Sequence, residues 1–519
     1  MVKPVFLGKL VLHWCPACNV PVLDEQCACG NRTNFITVTP PADIRPAFPY
    51  DIRRINEVSV RQFGKKLIAD GEPVIYNKAP YDDRMEEIIC GGDIIGTIRF
   101  EMDKPGWVLM PRLTGARRIF NKKERDENPD IENTLKNWIM VHEKAVPFVV
   151  DGSSVLVPGI LKHAPGIENE SEVVIVTPDF EVIAVGRSKM SSEDIDAAER
   201  GKAVKTRWTG YDETGMATPA NTIPNDVENI DQIQTRDLWK KTIDANRHII
   251  DKFEADSVKF IQNASGNMKK KFTTSFSGGK DSLVTLHLTE KAFGPESGNE
   301  KDYDIIFSDT GLEFQETIDN VREVVEIYGR PFKEISAGNI FWEEYETYGP
   351  PGVDNRWCTQ SCKLKPITTL IESNYLEDGG CLTFIGQRQY ESKARASSQR
   401  IWKSPSVRGQ IGAAPIQEWT AMHVWLYIFD KDLHYNPLYE KGFDRIGCWL
   451  CPAASLADFE NLRHTHPKSM EMWDEKLIQS GREKGIENPD LWVKFGLWRY
   501  DKLPPLMKKL ADEKGIKYP

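Results

Sequence analysis

The second half of the sequence predicts an α/β fold in which helices cover both faces of a doubly wound parallel sheet. Three short apolar runs indicate strands, at residues 272–276, 303–309 and 382–386. Segments with helical spacing, such as 316–328, separate them. This alternation is typical of parallel sheets, which bind ligands beyond the carboxyl ends of their strands.

A glycine turn, Ser-Gly-Gly-Lys-Asp-Ser at residues 277–282, follows the first of these strands and opens an apolar helix. The glycines let the backbone approach phosphate oxygens, the helix N-terminus attracts an anion, and the lysine adds positive charge. Asp281 suits both a helix cap and a Mg²⁺ contact. A solvated turn is the alternative, but it does not require the whole hexapeptide between a strand and a helix. The spacing also differs from that of a Walker A loop.

The hexapeptide resembles the PP-loop of the ATP pyrophosphatases, which split ATP between its α- and β-phosphates and adenylate a substrate. With further motifs in the same order, it resembles the phosphoadenosine phosphosulfate (PAPS) reductase family over roughly residues 271–455. Those motifs are Asp309-Thr310-Gly311, Arg356-Trp357-Cys358, Lys365-Pro366, Gly386-Gln387-Arg388, Glu391-Ser392, Arg395, Pro415-Ile416, Trp419 and Asn436-Pro437-Leu438-Tyr439. The resemblance implies an adenine nucleotide alpha hydrolase-like fold with an adenosine-nucleotide site.

The same resemblance implies which residues form that site. Arg388 and Arg395 would pair with anionic groups, because the arginine fork binds two oxygens at once. The ligand would be ATP with Mg²⁺ or, alternatively, PAPS or adenylyl sulfate (APS). The predicted catalytic residues are Lys280, Asp281 and Arg388. The predicted nucleotide-binding residues are Ser275, Ser277, Gly278, Gly279, Lys280, Asp281, Ser282, Asp309, Gly386, Arg388 and Arg395.

Two cysteine pairs in this half, Cys358/Cys362 and Cys448/Cys451, resemble those that hold a [4Fe–4S] cluster in adenylyl-sulfate reductases. Four thiolates arriving as two pairs suit such a cluster or a zinc ion, and a reactive thiol pair is a third possibility. The family pattern favours the cluster. Nearby lysines, which lower thiol pKa values, agree with each of these interpretations.

Two more cysteine pairs, Cys15/Cys18 and Cys27/Cys29, lie close together near the start of the sequence. Knuckles of this kind close a tetrahedral thiolate site and stabilise a short peptide. We therefore predict a structural zinc ribbon that rigidifies or docks, in preference to a redox or catalytic role. Cys90 and Cys381 stand alone in apolar surroundings and are expected to be buried core thiols.

Short strands separated by Gly and Pro turns follow, in about 75 residues that resemble a PUA domain, an RNA-binding module of RNA-modifying enzymes. We expect strands at 146–152, 155–160, 172–176 and 182–186. A generic β-barrel is the alternative. We expect the bound RNA to be tRNA. The residues expected to face it are Lys162, His163, Arg187 and Lys189.

These observations divide the sequence into six parts. They are a zinc-ribbon-like segment (1–39), a small α+β module (40–140), a PUA-like domain (141–222), a linker and helix (223–265), a PP-loop domain (266–458) and a helical tail (459–519). Residues 206–231 are expected to be a linker and 234–263 a long amphipathic helix. The role of 40–140 is not indicated by its sequence.

Composition limits the function classes. The net charge is −10, so RNA contact requires a local basic surface, such as the run Arg388, Lys393, Arg395, Arg400, Lys403 and Arg408. A solvated face is the alternative for that run. No apolar stretch is long enough for a membrane span and no signal peptide is evident, which predicts a cytoplasmic enzyme without a membrane partner.

Two functions fit, and departures from the family decide between them. The cluster-bearing reductases have adjacent cysteines where this sequence has Cys358-x₃-Cys362, and they attack sulfur with a cysteine in a C-terminal Glu-Cys-Gly-Leu-His motif. Here no cysteine follows Cys451. The sequence therefore favours ATP-dependent sulfur insertion into RNA, with a sulfur donor protein. The alternative is a PAPS or APS reductase that releases sulfite and takes electrons from a donor protein.

Overall fold

The computed structural model describes residues 12–211, 235–266 and 268–517. The first sheet is a three-stranded antiparallel knuckle in which the central strand is flanked by the other two. Its strands are β1 (Leu12–Cys15), β2 (Val20–Val22) and β3 (Asn34–Ile36). The four predicted zinc ligands lie in and after this hairpin, as the sequence pattern predicts.

A five-stranded antiparallel sheet with a long helix on it follows, and its strands pair in chain order. The elements are β4 (Arg45–Pro46), α1 (Pro49–Phe63), β5 (Ile75–Lys78), β6 (Met85–Cys90), β7 (Asp93–Glu101), β8 (Gly106–Pro111), α2 (Leu113–Ile119) and α3 (Lys122–Glu127). Below, residues 40–135 are called the N-terminal module.

The PUA-like sheet has six strands in the order β10-β14-β13-β12-β9-β11, with one parallel pair, β9 and β12. Its elements are β9 (Trp138–Val141), α4 (Val146–Val150), β10 (Val155–Leu156), β11 (Ile160–His163), β12 (Glu172–Val176), β13 (Val182–Ser188), α5 (Ser192–Ala197) and β14 (Lys202–Thr209). The strand expected at 146–152 is wrong, because Pro147 lies in the first turn of α4, where proline favours a helix.

The long helix expected at 234–263 is two helices, α6 (Thr235–Ala245) and α7 (Arg247–Ser265). Between them Asn246 is fully buried, donates to the Pro21 carbonyl at 2.9 Å and accepts from Leu23 N–H at 2.8 Å. The knuckle therefore docks on the break between the two helices. Most of the predicted linker at 206–231 lies outside the described residues.

The α/β sheet has the order β17-β16-β15-β18-β20-β19, with β19 antiparallel at the edge and the other strands parallel. Its elements are β15 (Lys271–Ser275), α8 (Lys280–Phe293), β16 (Asp304–Asp309), α9 (Gln315–Tyr328), β17 (Phe332–Ser336), α10 (Ile340–Tyr348), α11 (Lys365–Tyr375), β18 (Cys381–Ile385), α12 (Lys393–Ala396), β19 (Ile401–Lys403), β20 (Gln410–Ala413) and α13 (Ala421–Asp430). The predicted fold class is confirmed.

Four helices follow the sheet, as expected for 459–519. They are α14 (Leu456–Thr465), α15 (Pro467–Glu483), α16 (Pro489–Lys494) and α17 (Pro505–Glu513). A shared apolar core contains Trp14 of the knuckle, Phe48 of the N-terminal module, and Phe276 and Trp425 of the α/β domain. Within the described residues, no helix has both the length and the apolar character that a membrane crossing needs.

Candidate active site

The predicted phosphate loop connects β15, which ends at Ser275, to α8, whose N-cap is Gly279. Gly278 has φ +72°, and a Cβ atom there would lie 2.8 Å from the Thr317 side chain. Glycine is therefore required at this position. The Ser282 hydroxyl accepts from Ser277 N–H at 3.2 Å and donates to the Gly279 carbonyl at 2.8 Å, which fixes the loop.

The loop opens beyond the carboxyl end of the sheet, next to strand β18. A Cβ on Gly386 would lie 2.5 Å from the backbone of Asp281, so this glycine lets β18 approach the first turn of α8. The Tyr439 hydroxyl accepts from Lys280 N–H at 2.9 Å. Loop, Gly386 and Tyr439 thus surround a helix N-terminus with the polarity for an anion.

The three predicted catalytic residues form one buried charge network. Asp281 accepts from Lys280 Nζ at 2.9 Å and from Arg388 Nε at 2.5 Å. Burial alone would raise the pKa of Asp281, but the two cations lower it to about 2. Lys280 is 7% exposed and Arg388 2% exposed.

A residue that the sequence did not indicate completes this network. Asp43 of the N-terminal module accepts from Arg388 Nη1 at 2.7 Å and Nη2 at 3.0 Å, and from Ala421 N–H at 2.7 Å. No motif surrounds Asp43, and its partners lie more than 300 residues away in sequence. A single sequence carries no signal for such a contact.

The Asp309-Thr310-Gly311 turn begins at the end of β16, the strand that pairs with β15. Asp309 accepts from Gly311 N–H at 2.8 Å and from Ser336 Oγ at 2.6 Å. Thr310 donates its hydroxyl proton toward Glu313 at 2.9 Å, and its oxygen lies 3.2 Å from Cys448 Sγ. The second predicted cysteine group therefore lies against this turn.

That group combines a π-helical segment with a tight turn. Residues 359–364 form a π-helix, which places Cys358 and Cys362 near one face. Cys358 and Cys448 pack against the same apolar cluster. Burial, followed by the charge of Cys451, raises the pKa of Cys358. Burial raises the pKa of Cys448 to about 12. Unlike the N-terminal cysteines, these four do not all lie within 4.8 Å of one another in the described chain. Four thiols in this looser arrangement would suit a [4Fe–4S] cluster, which spreads its ligands wider than one ion does.

The first cysteine group has the geometry of a single ion. Within the described part of the chain, Cys15, Cys18, Cys27 and Cys29 form the group whose ligand atoms all lie within 4.8 Å of one another. Two of their Sγ–Sγ distances are 3.7 and 3.9 Å. Around one tetrahedral zinc with bonds of about 2.3 Å, neighbouring sulfurs lie about 3.8 Å apart. These residues fit the predicted zinc ion.

A cavity of about 350 Å³ lies beside the second group and is lined by Cys448 and Cys451. The N-terminal module contributes Arg84 to its wall and the C-terminal helices contribute Arg499. Arg84 contacts the Gly442 carbonyl at 3.5 Å. The turn that carries these cysteines is therefore enclosed by three parts of the chain and open to a small molecule.

The predicted basic run does not form one continuous surface. Arg400 lies over the Phe260 ring at 3.8 Å and donates to the Ala414 and Pro415 carbonyls, and Arg388 is buried. Arg395 is half-exposed and pairs with Glu391. The positions that face solvent in this run are Lys393, Lys403 and Arg408.

The residues expected to face RNA each lie beside a carboxylate. Lys162 and Lys189 are exposed, Arg187 is half-exposed and the His163 side chain is 14% exposed. The pairs are Lys162 with Glu132 at 3.0 Å, His163 with Asp196 at 3.0 Å, Arg187 with Glu170 at 2.9 Å and Lys189 with Glu170 at 2.5 Å.

Comparisons with known proteins agree with this architecture. Residues 271–454 match the phosphoadenosine phosphosulfate reductase domain, and residues 137–208 match the PUA domain. An uncharacterized protein of Methanocaldococcus jannaschii is 38% identical over 502 residues, which cover 96% of this chain and 98% of that protein.

Relatives with an assigned activity cover about a third of this chain. Adenosine 5'-phosphosulfate reductase of Staphylococcus epidermidis is 31% identical over 180 residues, covering 34% of this chain and 68% of that enzyme. Among solved structures, PAPS reductase from Candida auris in a phosphate complex is 22% identical, with a TM-score of 0.30, and covers 39% of this chain and 96% of that one. A PUA domain protein from Thermoplasma acidophilum is 21% identical, with a TM-score of 0.24. The match covers 33% of this chain and 95% of that one.

Proposed function

Because this chain belongs to the phosphoadenosine phosphosulfate reductase family and also contains a PUA domain, we propose that it is an ATP-dependent enzyme that inserts sulfur into RNA. The observation that carries the proposal is the presence of an RNA-binding module and a PP-loop in one chain. RNA modules hold their substrate by shape and backbone contacts. A free sulfonucleotide offers nothing for such a module to bind.

The proposed reaction has two balanced steps. A base carbonyl oxygen attacks the α-phosphorus of ATP, the α–β bond breaks, and pyrophosphate leaves. A hydrosulfide then attacks the base carbon, the carbon–oxygen bond breaks, and AMP leaves with the oxygen. The overall change replaces C=O by C=S without a change of oxidation state, so it needs a sulfide donor and no reductant.

This chain's own residues account for the first step. The Ser277–Ser282 loop and the N-terminus of α8 would hold the phosphates, and Mg²⁺ would neutralise charge on the departing pyrophosphate. Lys280 would supply positive charge within this loop, where it pairs with Asp281. Thr310 lies beside Cys448, and β16, which ends at Asp309, pairs with β15, which leads into the loop. The nucleotide and the sulfur would meet near this turn.

The second step would use the second cysteine group. Cys358, Cys362, Cys448 and Cys451 would hold a [4Fe–4S] cluster, which supplies sulfur-binding and electron-transfer chemistry when present. The cavity at Cys448 and Cys451 is wide enough for a small sulfur donor to approach these residues. The zinc ion held near residue 20 would be structural and remote from both steps.

Sulfonucleotide reduction is the second candidate, favoured by the 31% identity to APS reductase in the α/β region. One pair of anaerobic reactions separates the two. In the first, the protein receives ATP, Mg²⁺, ³⁵S-labelled hydrosulfide and tRNA; in the second, it receives PAPS or APS with a thiol reductant.

We expect AMP and pyrophosphate to form only when tRNA is present, and ³⁵S to appear in the RNA. A Lys280→Ala variant serves as the control and should be inactive. Sulfite release from PAPS or APS, without RNA labelling, would establish the reductase instead. If RNA other than tRNA is labelled, the proposal stands and its substrate is corrected.

A further inference from the structure

Asp43 of the N-terminal module pairs with Arg388, the arginine that binds Asp281 of the predicted phosphate loop. Its carboxylate binds two nitrogens of Arg388, and the third nitrogen of that guanidinium binds Asp281. Each nitrogen of Arg388 therefore donates to a carboxylate. With 2% exposure, this arginine has little surface to offer a ligand.

The charges along this network alternate from the loop to the module. Lys280 and Arg388 are cations, and Asp281 and Asp43 are anions, so the network is neutral as it stands. The nearby His423 adds no charge, because burial, and then Arg388, lower its pKa to about 3. Removing one member would leave an uncompensated buried charge, which is costly.

The N-terminal module holds Asp43 in a fixed position. Ile44 is fully buried, and Arg45, the next residue, pairs with Asp51 at 2.7 Å. Phe48 packs against Trp425 of α13 with ring centroids 4.8 Å apart. Asp43 also accepts from Ala421 N–H at the start of α13, so the carboxylate is held from both sides.

We propose that Asp43 is a positioning residue of the nucleotide site: it holds Arg388, and through Arg388 it fixes Asp281 on the phosphate loop. The N-terminal module thereby completes the site. Asp43 lies outside residues 271–454, which match the phosphoadenosine phosphosulfate reductase domain, so this contact joins that domain to a separate part of the chain. The inference rests on the proposed nucleotide site, whether ATP or a sulfonucleotide binds there.

The test measures ATP and APS affinity of the full chain by anaerobic calorimetry, with an Asp43→Asn variant. Asparagine keeps the size and accepts from Ala421 N–H, but it cannot neutralise Arg388. We expect nucleotide affinity to fall about 10- to 100-fold, the range found for residues that orient a ligand-binding group. Glu72→Gln is the matched control, because Glu72 makes a bidentate pair with Arg118 inside the same module. Its nucleotide affinity should not change.

A double variant, Asp43→Asn with Arg388→Met, separates positioning from folding. Removing both buried charges should restore part of the thermal stability that Asp43→Asn loses, whereas affinity stays low because Asp281 remains unsupported. A folded Asp43→Asn protein that binds nucleotide as tightly as wild type would overturn the proposal. Binding of APS but not ATP by wild type would overturn the proposed function and leave Asp43 measurable on APS. Binding of neither would overturn both.

Discussion

The two cysteine groups use the same ligand type and differ in almost everything else. Cys15, Cys18, Cys27 and Cys29 come from one short segment and lie within 4.8 Å of one another. Cys358, Cys362, Cys448 and Cys451 come from two distant segments. Cys448 contacts Thr310, and Cys448 and Cys451 line a cavity. A closed local group is typical of a structural ion, and an open group beside a nucleotide loop is typical of a reactive centre. The environment of the thiols therefore indicates the role better than their number does.

The largest effect should come from breaking the second group. A Cys448→Ser variant is expected to lose iron and to retain less than about 1% of wild-type activity, because a cluster needs all its thiolates. Zinc content should remain at one ion per chain in metal analysis. If this variant keeps its iron and its visible absorption, the cluster assignment is wrong.

The first group should respond in the opposite way. A Cys15→Ser variant is expected to lose zinc and keep iron, and the knuckle should unfold locally, because structural zinc binding supplies roughly 10 kcal/mol of folding energy in zinc-finger peptides. Limited proteolysis should cut the knuckle and the junction at Asn246, on which it docks. Loss of iron from this variant would show that the two groups are not independent.

A matched pair of milder substitutions sharpens the same contrast. Thr310→Val removes the hydroxyl beside Cys448, and Asn31→Ala removes the amide that donates to Cys29 Sγ at 3.2 Å. That amide lowers the pKa of Cys29 to about 6. Loss of such supporting partners costs about 10- to 100-fold. In rate assays and zinc-competition assays, we expect Thr310→Val to lower activity and leave zinc affinity normal. We expect Asn31→Ala to lower zinc affinity and leave activity normal.

The smallest effect is a loss of folding stability in acid that originates at His423 of the α/β domain. His423 is buried, and its folded-state pKa of about 3 lies below the ordinary value of 6.5. The unfolded state therefore binds the proton first, and stability present above pH 6.5 is lost progressively as the pH falls toward 3. Between pH 7 and pH 5 the loss should be about 2 kcal/mol. Thermal unfolding should show a flatter pH slope for His423→Gln and an unchanged slope for Cys15→Ser.

Local motifs were predictable because their physics is local. The Ser277–Ser282 loop needs a strand, two glycines and a helix start in sequence order, and all of these are visible in the residues themselves. The first cysteine group follows from spacing in the same way, and its sulfurs lie within 4.8 Å of one another. The cluster at the second group was inferred from the family resemblance and stays a prediction. The helix at 146–150 was missed because its valines favour strands, while one proline at the first turn decided the structure.

Contacts between distant segments could not be predicted. Asp43 is an acid in an unremarked segment, and its role depends on where the N-terminal module docks. The break at Asn246 likewise depends on the Pro21 carbonyl, which lies 225 residues away. The positions of Arg388 and Arg400 inside the protein depend on such packing as well. The basic surface predicted from this run of residues was therefore larger than the exposed basic surface in the structure.

The docking of the N-terminal module has a consequence for synthesis of the chain. Asp83 accepts from Leu456 N–H, 373 residues later, and Asp43 accepts from Ala421 N–H, 378 residues later. At about 5–20 residues per second, a ribosome needs roughly 20–75 s to add that length. During that time the segments that carry Leu456 and Ala421 do not yet exist, so Asp83 and Asp43 cannot make these contacts. The contacts that join the N-terminal module to the predicted nucleotide site therefore form only late in synthesis.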